Sequence, residues 1–158
     1  MGVRDSLERL GLTLPPAQVV PEGVALTYRR LVRWGEIVYI AGHGPTWGDG
    51  WGSPLGKVGN EVTIDEGIAA ARLTALNVLA TIDRELGDLD EVACWLKVNG
   101  YVNAVPGFTE QARVVNGFSD LILELYGPEA GQHARSAVGL AELPFGIPVE
   151  IEAEAAIA

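Results

Sequence analysis

The stretch that decides the fold class, residues 63–103, reads TIDEGIAAARLTALNVLATIDRELGDLDEVACWLKVNGYVN. Apolar residues in its first half recur at spacings of three and four, which is the period of one helix face. Thr63 and Glu66 match the capping-box pattern at the start of a helix, and Gly87 supplies its end. In the second half the period changes to two, which predicts a strand over 92–103.

Elements of the same two kinds are predicted on the N-terminal side. Alternation over 24–32 and an apolar run over 37–41 predict a hairpin that turns at Gly35 and Glu36. The next segment, 42–59, contains seven glycines and two tryptophans, which predicts a long loop anchored by aromatic side chains.

On the C-terminal side the helical period returns over 108–125, and Gly127-Pro128 predicts the end of that helix. Strands are predicted over 134–141 and 149–156, joined by a turn that contains prolines. The element order ββ(β)αβαββ predicts a single α+β domain in which two helices pack on one face of the sheet. The other face then needs a cover, which oligomerisation would supply.

The first residues are predicted to lie outside this domain. Residues 5–12 have the pattern of a short amphipathic helix, which ends before Pro15 and Pro16. We therefore divide the chain into an N-terminal extension, 1–23, and a domain, 24–158. The sequence contains no internal repeat and no linker that would divide the domain further.

Composition and charge narrow the function classes. With 158 residues, of which 48% are hydrophobic and 20% charged, the chain has the composition of one compact globular domain. Its formal net charge of −10 repels phosphate backbones and argues against non-specific nucleic-acid binding. The single cysteine, Cys94, and the lack of a signal peptide or of an apolar run of about 18 residues predict a cytoplasmic protein that does not span a membrane.

The sequence offers little for a metal or a nucleotide. It contains no Walker-type Gly-Lys-Ser/Thr, no Gly-x-Ser-x-Gly and no His-Glu-x-x-His pattern. Its two histidines, His43 and His133, have no histidine or cysteine at short ligand spacing, so we expect no metal site.

Arg135 is the candidate anion receptor. It is the only lysine or arginine after Arg113, and it falls within a predicted strand. One reading is an ion pair with a glutamate, and the other is a guanidinium fork that binds a substrate carboxylate. Glu150, Glu152 and Glu154 alternate on the last strand. They form a solvated face, or one of them lies in a pocket with Arg135 and orients or activates water.

At these residues the chain resembles a known family. Residues 134–144 (ARSAVGLAELP), followed by 149–153 (VEIEA), look like the C-terminal signature of the RidA family, also called YjgF or L-PSP. Residues 35–45 (GEIVYIAGHGP) and 115–118 (VNGF) resemble its early glycine-containing segment and its second helix. The resemblance covers residues 24–157, and the N-terminal extension and long loop suggest the longer, endoribonuclease-like branch.

The resemblance implies a chorismate-mutase-like α+β fold with a mixed sheet, assembled as a homotrimer with a ligand cleft between subunits. It also implies hydrolysis of enamine or imine acids to 2-keto acids and ammonia. The ligand would be a small 2-imino or 2-keto carboxylic acid, and no cofactor would be needed.

The resemblance also carries roles over to named positions. Arg135 would hold the carboxylate of the ligand, and Glu150 would position or activate water. The other implied site residues are Tyr28, which would line the cleft, Gly42 and Ala137, which would approach the ligand through backbone groups, and Asn116, which would support the site from the second helix.

Three positions depart from the family pattern. Ala41 stands where many members have serine, Ala137 where deaminases have cysteine, and His43 where glutamine is usual. His43 is either a loop histidine satisfied by the backbone or an additional acid/base group. The lost hydroxyl and thiol leave a second function open, that of a non-catalytic protein that binds small carboxylates.

The resemblance to the endoribonuclease-like branch implies a third function, the cleavage of RNA. Arg29, Arg30 and Arg33 give local basicity near Tyr28, but on a strand this pattern is more typical of a solvated or intersubunit face. The net charge of −10 also counts against RNA as the substrate.

Overall fold

A computed structural model describes residues 2–20 and 22–158. The α-helices of this part of the chain are α1 (Val3–Arg9), α2 (Ile64–Leu86) and α3 (Gln111–Gly131). Its strands are β1 (Leu31–Trp34), β2 (Ile37–His43), β3 (Thr46–Trp47), β4 (Gly50–Trp51), β5 (Val92–Asn103), β6 (Ala134–Leu140) and β7 (Val149–Ile157). Single 3₁₀ turns, Leu89–Glu91 and Pro144–Gly146, precede β5 and β7.

Five strands form one sheet in the order β1-β2-β7-β5-β6, and β3 pairs with β4 in a separate small hairpin. β5 and β6 run parallel, whereas the other neighbours in the large sheet are antiparallel. The predicted α+β domain with a mixed sheet is therefore confirmed. β6 lies at one edge of the sheet, where its outer side pairs with no other strand of the described chain.

The register of the sheet separates the two residues predicted to carry the chemistry. Val98 on β5 pairs with Arg135 on β6 and with Ala153 on β7, and both Val98 and Ala153 are buried under the helices. Tyr101, three residues further along β5, pairs with Glu150. Because paired residues share a face and adjacent residues alternate, Arg135 lies on the helix-covered side and Glu150 on the opposite side.

α2 follows its prediction closely. Oγ1 of Thr63 accepts from the backbone N–H of Glu66 at 3.2 Å, and the Glu66 carboxylate accepts from the backbone N–H of Thr63 at 2.8 Å, which is the predicted capping box. Gly87 ends the helix in the left-handed region, with φ of 91°. None of the helices in residues 2–20 and 22–158 combines the length and apolar character needed to cross a bilayer.

The predicted number of packed helices is too low by one. Besides α2 and α3, the described chain contains α1, whose Val3 and Leu7 are buried in the common core. The backbone N–H of Val3 donates to Oδ1 of Asp90 at 2.9 Å, which fixes the start of α1 to the 3₁₀ turn before β5. The pattern of 5–12 predicted an amphipathic helix, but it could not indicate which surface its apolar side would cover.

Other corrections concern segments that line a cleft or contain glycine. The strand predicted from residue 24 begins only at Leu31, because the alternating apolar residues 24–28 stay exposed along a cleft. The predicted loop 42–59 contains the β3–β4 hairpin. α3 begins at Gln111 and continues to Gly131, although the predicted stop at Gly127 does break its geometry, with φ of 73°.

Candidate active site

Arg135 reaches from β6 to α3, where three neutral acceptors hold it. Nη1 donates to Oδ1 of Asn116 at 2.8 Å and to Oγ of Ser119 at 3.0 Å, and Nη2 donates to the carbonyl of Ala112 at 3.3 Å. A guanidinium has five N–H donors, so two are left for a ligand. Within the described chain no carboxylate lies at ion-pair distance from Arg135, which therefore keeps an uncompensated positive charge.

Ser119 links this guanidinium to His133 through hydrogen bonds. Nδ1 of His133 lies 2.7 Å from the carbonyl of Gly131 and donates to it, which leaves Nε2 to accept from the Ser119 hydroxyl at 3.0 Å. Burial lowers the pKa of His133, and the nearby charge of Arg135 lowers it further, so the ring is neutral near pH 7. The Ser119 proton is then directed at His133, and the Ser119 oxygen is free to accept from Arg135.

Glu150 lies half-buried on the opposite side of the sheet, beside Gly42. A Cβ atom at Gly42 would overlap Oε1 of Glu150, so the glycine makes room for the carboxyl group. Burial raises the pKa of Glu150, and the charge of the adjacent Glu152 raises it further. A carboxyl group with a raised pKa is a better proton acceptor once ionised, which suits it for proton transfer at moderate pH.

Tyr28, Gly42 and Glu150 line one cleft of about 290 Å³. The Tyr28 side chain comes from the irregular segment before β1 and is 53% exposed. The cleft therefore brings three of the predicted site residues together. Glu152, two residues further along β7, is not among the lining residues, and its carboxylate accepts hydrogen bonds from Asn99 at 3.1 Å and from Tyr101 at 2.7 Å.

Arg135 opens onto a different depression, which Ser119 and His133 also line. Asn116, whose predicted role is to support the site, contacts Arg135 directly. Ala137 lies two residues further along β6 and is half-buried against the core. Within one chain, the group of Arg135 and Asn116 is thus separated from the cleft of Glu150.

His43 is placed in the interior, at the end of β2, and is only 4% exposed. Its Nδ1 donates to the carbonyl of Ala41 at 2.6 Å, and its Nε2 accepts from the hydroxyl of Thr81 at 2.8 Å. Burial lowers the pKa of His43 to about 4, against an opposing effect of the Ala41 hydrogen bond. This placement favours the structural reading of His43 and leaves it no contact with the cleft.

Sequence reasoning missed two groups of residues at these sites. Ser119 and His133 are not among the predicted site residues, although two spacings indicate them. Asn116 and Ser119 are three apart on a helix, and His133 and Arg135 are two apart on an extended chain, so each pair shares a face. Trp51 and Phe145 also line the Glu150 cleft, and their pairing across the fold left no local signal.

The donor set for metals is sparse. Among residues 2–20 and 22–158, no group of three or more histidine, cysteine, aspartate and glutamate side chains is arranged to hold a metal ion.

Comparisons with known proteins agree with this architecture. A family model described as "YjgF/chorismate mutase-like, putative endoribonuclease" matches residues 28–146. Protein TCP17 of Trypanosoma cruzi is 45% identical over 151 residues, which cover 96% of this chain and 91% of that protein.

Two solved structures illustrate the range of similarity. The crystal structure of Atu1372 from Agrobacterium tumefaciens, a protein of unknown function, is 38% identical with a TM-score of 0.84, over 98% of this chain and 91% of that one. The crystal structure of TdcF from E. coli with bound serine is 20% identical with a TM-score of 0.61, over 92% and 94% of the two chains. At that identity the similarity to TdcF establishes the shared fold only.

Proposed function

This chain belongs to the YjgF/chorismate mutase-like family, and we propose that it hydrolyses 2-imino acids to 2-keto acids and ammonia. The observation that carries the proposal is the state of Arg135, whose positive charge is held in place by Asn116, Ser119 and Ala112 without a carboxylate partner. Two spare N–H donors and an unpaired charge suit a ligand carboxylate. The serine bound in the related TdcF fold is a ligand of this class, a small molecule with an α-carboxylate.

Glu150 is the proposed proton carrier. Its ionised form removes a proton from water as the water oxygen forms a bond to C2 of the protonated imine, which gives a carbinolamine. The same carboxyl group then returns the proton to the amino nitrogen, the C–N bond breaks, and the C2 hydroxyl loses its proton as the keto group forms. Ammonia and this proton leave together as ammonium, so no cofactor takes part in the balance.

The separation of Arg135 from Glu150 supports a site shared by two copies of the chain. The two residues lie on opposite sides of the sheet and open onto different clefts. If both act on one molecule of ligand, the carboxylate must be held by one subunit and the water by its neighbour. A closed three-fold ring gives three equivalent sites of this kind, so we propose a homotrimer.

The test is the release of keto acid from a 2-imino acid that is generated continuously from 2-aminobutyrate by an amino acid oxidase. We expect the protein to accelerate formation of 2-oxobutanoate, and we expect Arg135→Ala to abolish the acceleration. Arg113→Ala is the matched control, because it removes an exposed arginine of α3 that pairs with Glu110. This variant should retain the acceleration. No acceleration over buffer by the intact oligomer would refute hydrolysis.

Two positions favour a second candidate, a protein that binds small carboxylates without turnover. Ala41 and Ala137 lack the hydroxyl and thiol that the resemblance leads one to expect at these places. Calorimetric binding of 2-oxobutanoate together with failure of the hydrolysis assay would select this candidate. Cleavage of single-stranded RNA that persists in Arg135→Ala and is lost in Arg30→Ala would instead select the ribonuclease action in the family description.

A further inference from the structure

The cleft that contains Glu150 has an apolar wall that takes no part in the proposed hydrolysis. Its apolar lining includes Val24, Leu26, Trp51, Phe145 and Ile147. The reaction involves only the carboxylate, C2 and the imino nitrogen of the ligand, and Arg135 and Glu150 account for these. The part of the ligand left for the wall is its side chain.

Two further polar residues of the same cleft, Arg30 and Thr46, form hydrogen bonds within the protein. Arg30 donates to the side-chain oxygen of Gln18 at 2.7 Å, and the Thr46 hydroxyl donates to Oδ1 of Asn77 at 2.9 Å. An apolar ligand side chain would meet Trp51, Phe145 and Ile147 directly.

Phe145 is held in a conformation that needs an explanation. It is the only non-glycine residue with positive φ in residues 2–20 and 22–158, at φ 60° and ψ 9°. Its side chain is 76% exposed, although its ring lies 5.5 Å from that of Trp51 between centroids. Strained backbone is concentrated at ligand sites, and an exposed aromatic ring at the mouth of a cleft is available for contact.

The opposite part of the wall is fixed by buried hydrogen bonds. The Asn77 side chain on α2 accepts from the Thr46 hydroxyl and donates to the Thr46 carbonyl, the second bond also at 2.9 Å. The backbone N–H of Gly52 donates to the carbonyl of Pro45 at 2.9 Å. These bonds position the β3–β4 hairpin and with it Trp51. A wall that is formed before the ligand arrives loses little freedom on binding.

We propose that the wall formed by Trp51, Phe145 and Ile147 selects 2-imino acids with a branched or aromatic side chain over those with a methyl or ethyl group. This inference rests on the proposed function, because it names the substrate class of the same cleft. Each additional methylene group removed from water strengthens binding about fourfold. A leucine-derived acid has two more side-chain carbons than 2-oxobutanoate, so it should bind about sixteenfold more tightly.

The experiment measures equilibrium binding, so that its readout does not depend on turnover. The dissociation constants of 2-oxobutanoate, 4-methyl-2-oxopentanoate and phenylpyruvate are determined by calorimetry for the full chain. In the wild type we expect 4-methyl-2-oxopentanoate to bind about sixteenfold more tightly than 2-oxobutanoate, and phenylpyruvate to bind at least as tightly as 4-methyl-2-oxopentanoate. In Phe145→Gly and Trp51→Ala the advantage should fall to about twofold or less.

The variants are chosen so that folding is preserved. Glycine is favoured at the positive φ of Phe145, so Phe145→Gly should retain the melting temperature of the wild type. Trp47→Ala is the matched control, because Trp47 belongs to the same hairpin and is not among the residues that line the cleft. It should keep the wild-type preference.

Equal affinities in the wild type, or a preference that survives both Phe145→Gly and Trp51→Ala, would overturn the inference. Failure of the proposed function has a different signature. A protein that prefers the larger acids and does not hydrolyse their imines retains the wall and refutes the deaminase, whereas a protein that binds none of the three acids overturns both.

Discussion

His133 and Arg135 converge on the hydroxyl group of Ser119, each at 3.0 Å. The hydroxyl can serve both only if it donates to Nε2 of His133 and accepts from Nη1 of Arg135. The protonation state of His133 therefore determines how well Ser119 holds the guanidinium. Together with Asn116, this arrangement joins the edge strand β6 to α3 at the point where a ligand carboxylate would bind.

A pH dependence of ligand affinity follows from this contact. When His133 gains a proton, its Nε2 becomes a donor and can no longer accept from Ser119. Since burial lowers its pKa from 6.5, the loss begins only on the acid side of that value. We expect the affinity of the wild type for 2-oxobutanoate to fall as the pH decreases below 6.5.

The comparison variant for this prediction is His133→Gln. Its amide oxygen can still accept from Ser119 and does not titrate in this range. The Kd for 2-oxobutanoate, measured by calorimetry from pH 5 to pH 8, should therefore be flatter in His133→Gln than in the wild type. Identical profiles would show that the contact between His133 and Ser119 has no part in holding Arg135.

Arg135→Ala separates a ligand receptor from a structural residue. The substitution removes three hydrogen bonds to groups that water can reach, so the free energy of unfolding should fall by about 1 kcal/mol, or about 2–4 °C in Tm. Affinity for a keto acid should fall about a hundredfold, because a charge-assisted contact with two bonds is lost. Arg135→Lys keeps the charge without the fork and should be intermediate in affinity. A large loss of Tm with unchanged affinity would contradict the receptor role.

Glu150→Gln tests the proton carrier. The amide retains the shape of the side chain and cannot accept the proton of water, so turnover of a 2-imino acid should fall by at least about a hundredfold. In the wild type, kcat/KM should rise with pH through the raised pKa of Glu150, and the variant should lose this rise. The readout is keto-acid formation as a function of pH.

Glu150→Gln should also change stability with a definite sign. Because the folded-state pKa of Glu150 is raised, its contribution favours the fold at low pH and is lost as pH increases through that value. At neutral pH the neutral amide should therefore be at least as stable as the wild type. A marked decrease in Tm at pH 7 would mean that the carboxylate has a stabilising partner.

Much of the fold could be predicted because its signals are local. The capping box at Thr63, the stop at Gly87 and the alternation of β5 all depend on residues close together in the chain. Residues 24–28 alternate like a strand because their apolar side chains line a cleft, which only the tertiary structure reveals. The same limit applied to α1, whose partners, the core and Asp90, are distant in sequence.

The sequence predicts single residues of the candidate site better than it predicts their arrangement in space. Arg135 could be singled out because its charge is isolated in the sequence, and in the structure it donates to Asn116. The strain at Phe145 could not be foreseen, because Pro144 and Gly146 predicted only a turn. Nor does sequence alone place Arg135 and Glu150 on opposite sides of the sheet, since this requires the strand order and register.

The stability of the protein should depend on His43 in mildly acidic solution. Its pKa is lowered from 6.5 to about 4 by burial, so the unfolded chain binds a proton more readily than the folded chain over that interval. The stabilisation is complete above pH 6.5 and should decrease by about 3 kcal/mol as the pH falls to 4. In His43→Gln, whose amide can bond to Ala41 and Thr81, urea unfolding should show a shallower decrease. Parallel curves for the two proteins would contradict the buried, neutral state of His43.

A mixing experiment tests whether Arg135 and Glu150 of different subunits form one site. Arg135→Ala and Glu150→Gln chains are each expected to be inactive alone. In a closed ring assembled from equal amounts of both, about a quarter of the clefts join an intact Arg135 to an intact Glu150, so about a quarter of the wild-type activity should return. Light scattering should give a mass of about 50 kDa, three times the chain. If one chain supplies both residues to its own site, mixed rings stay inactive, and the shared site is refuted.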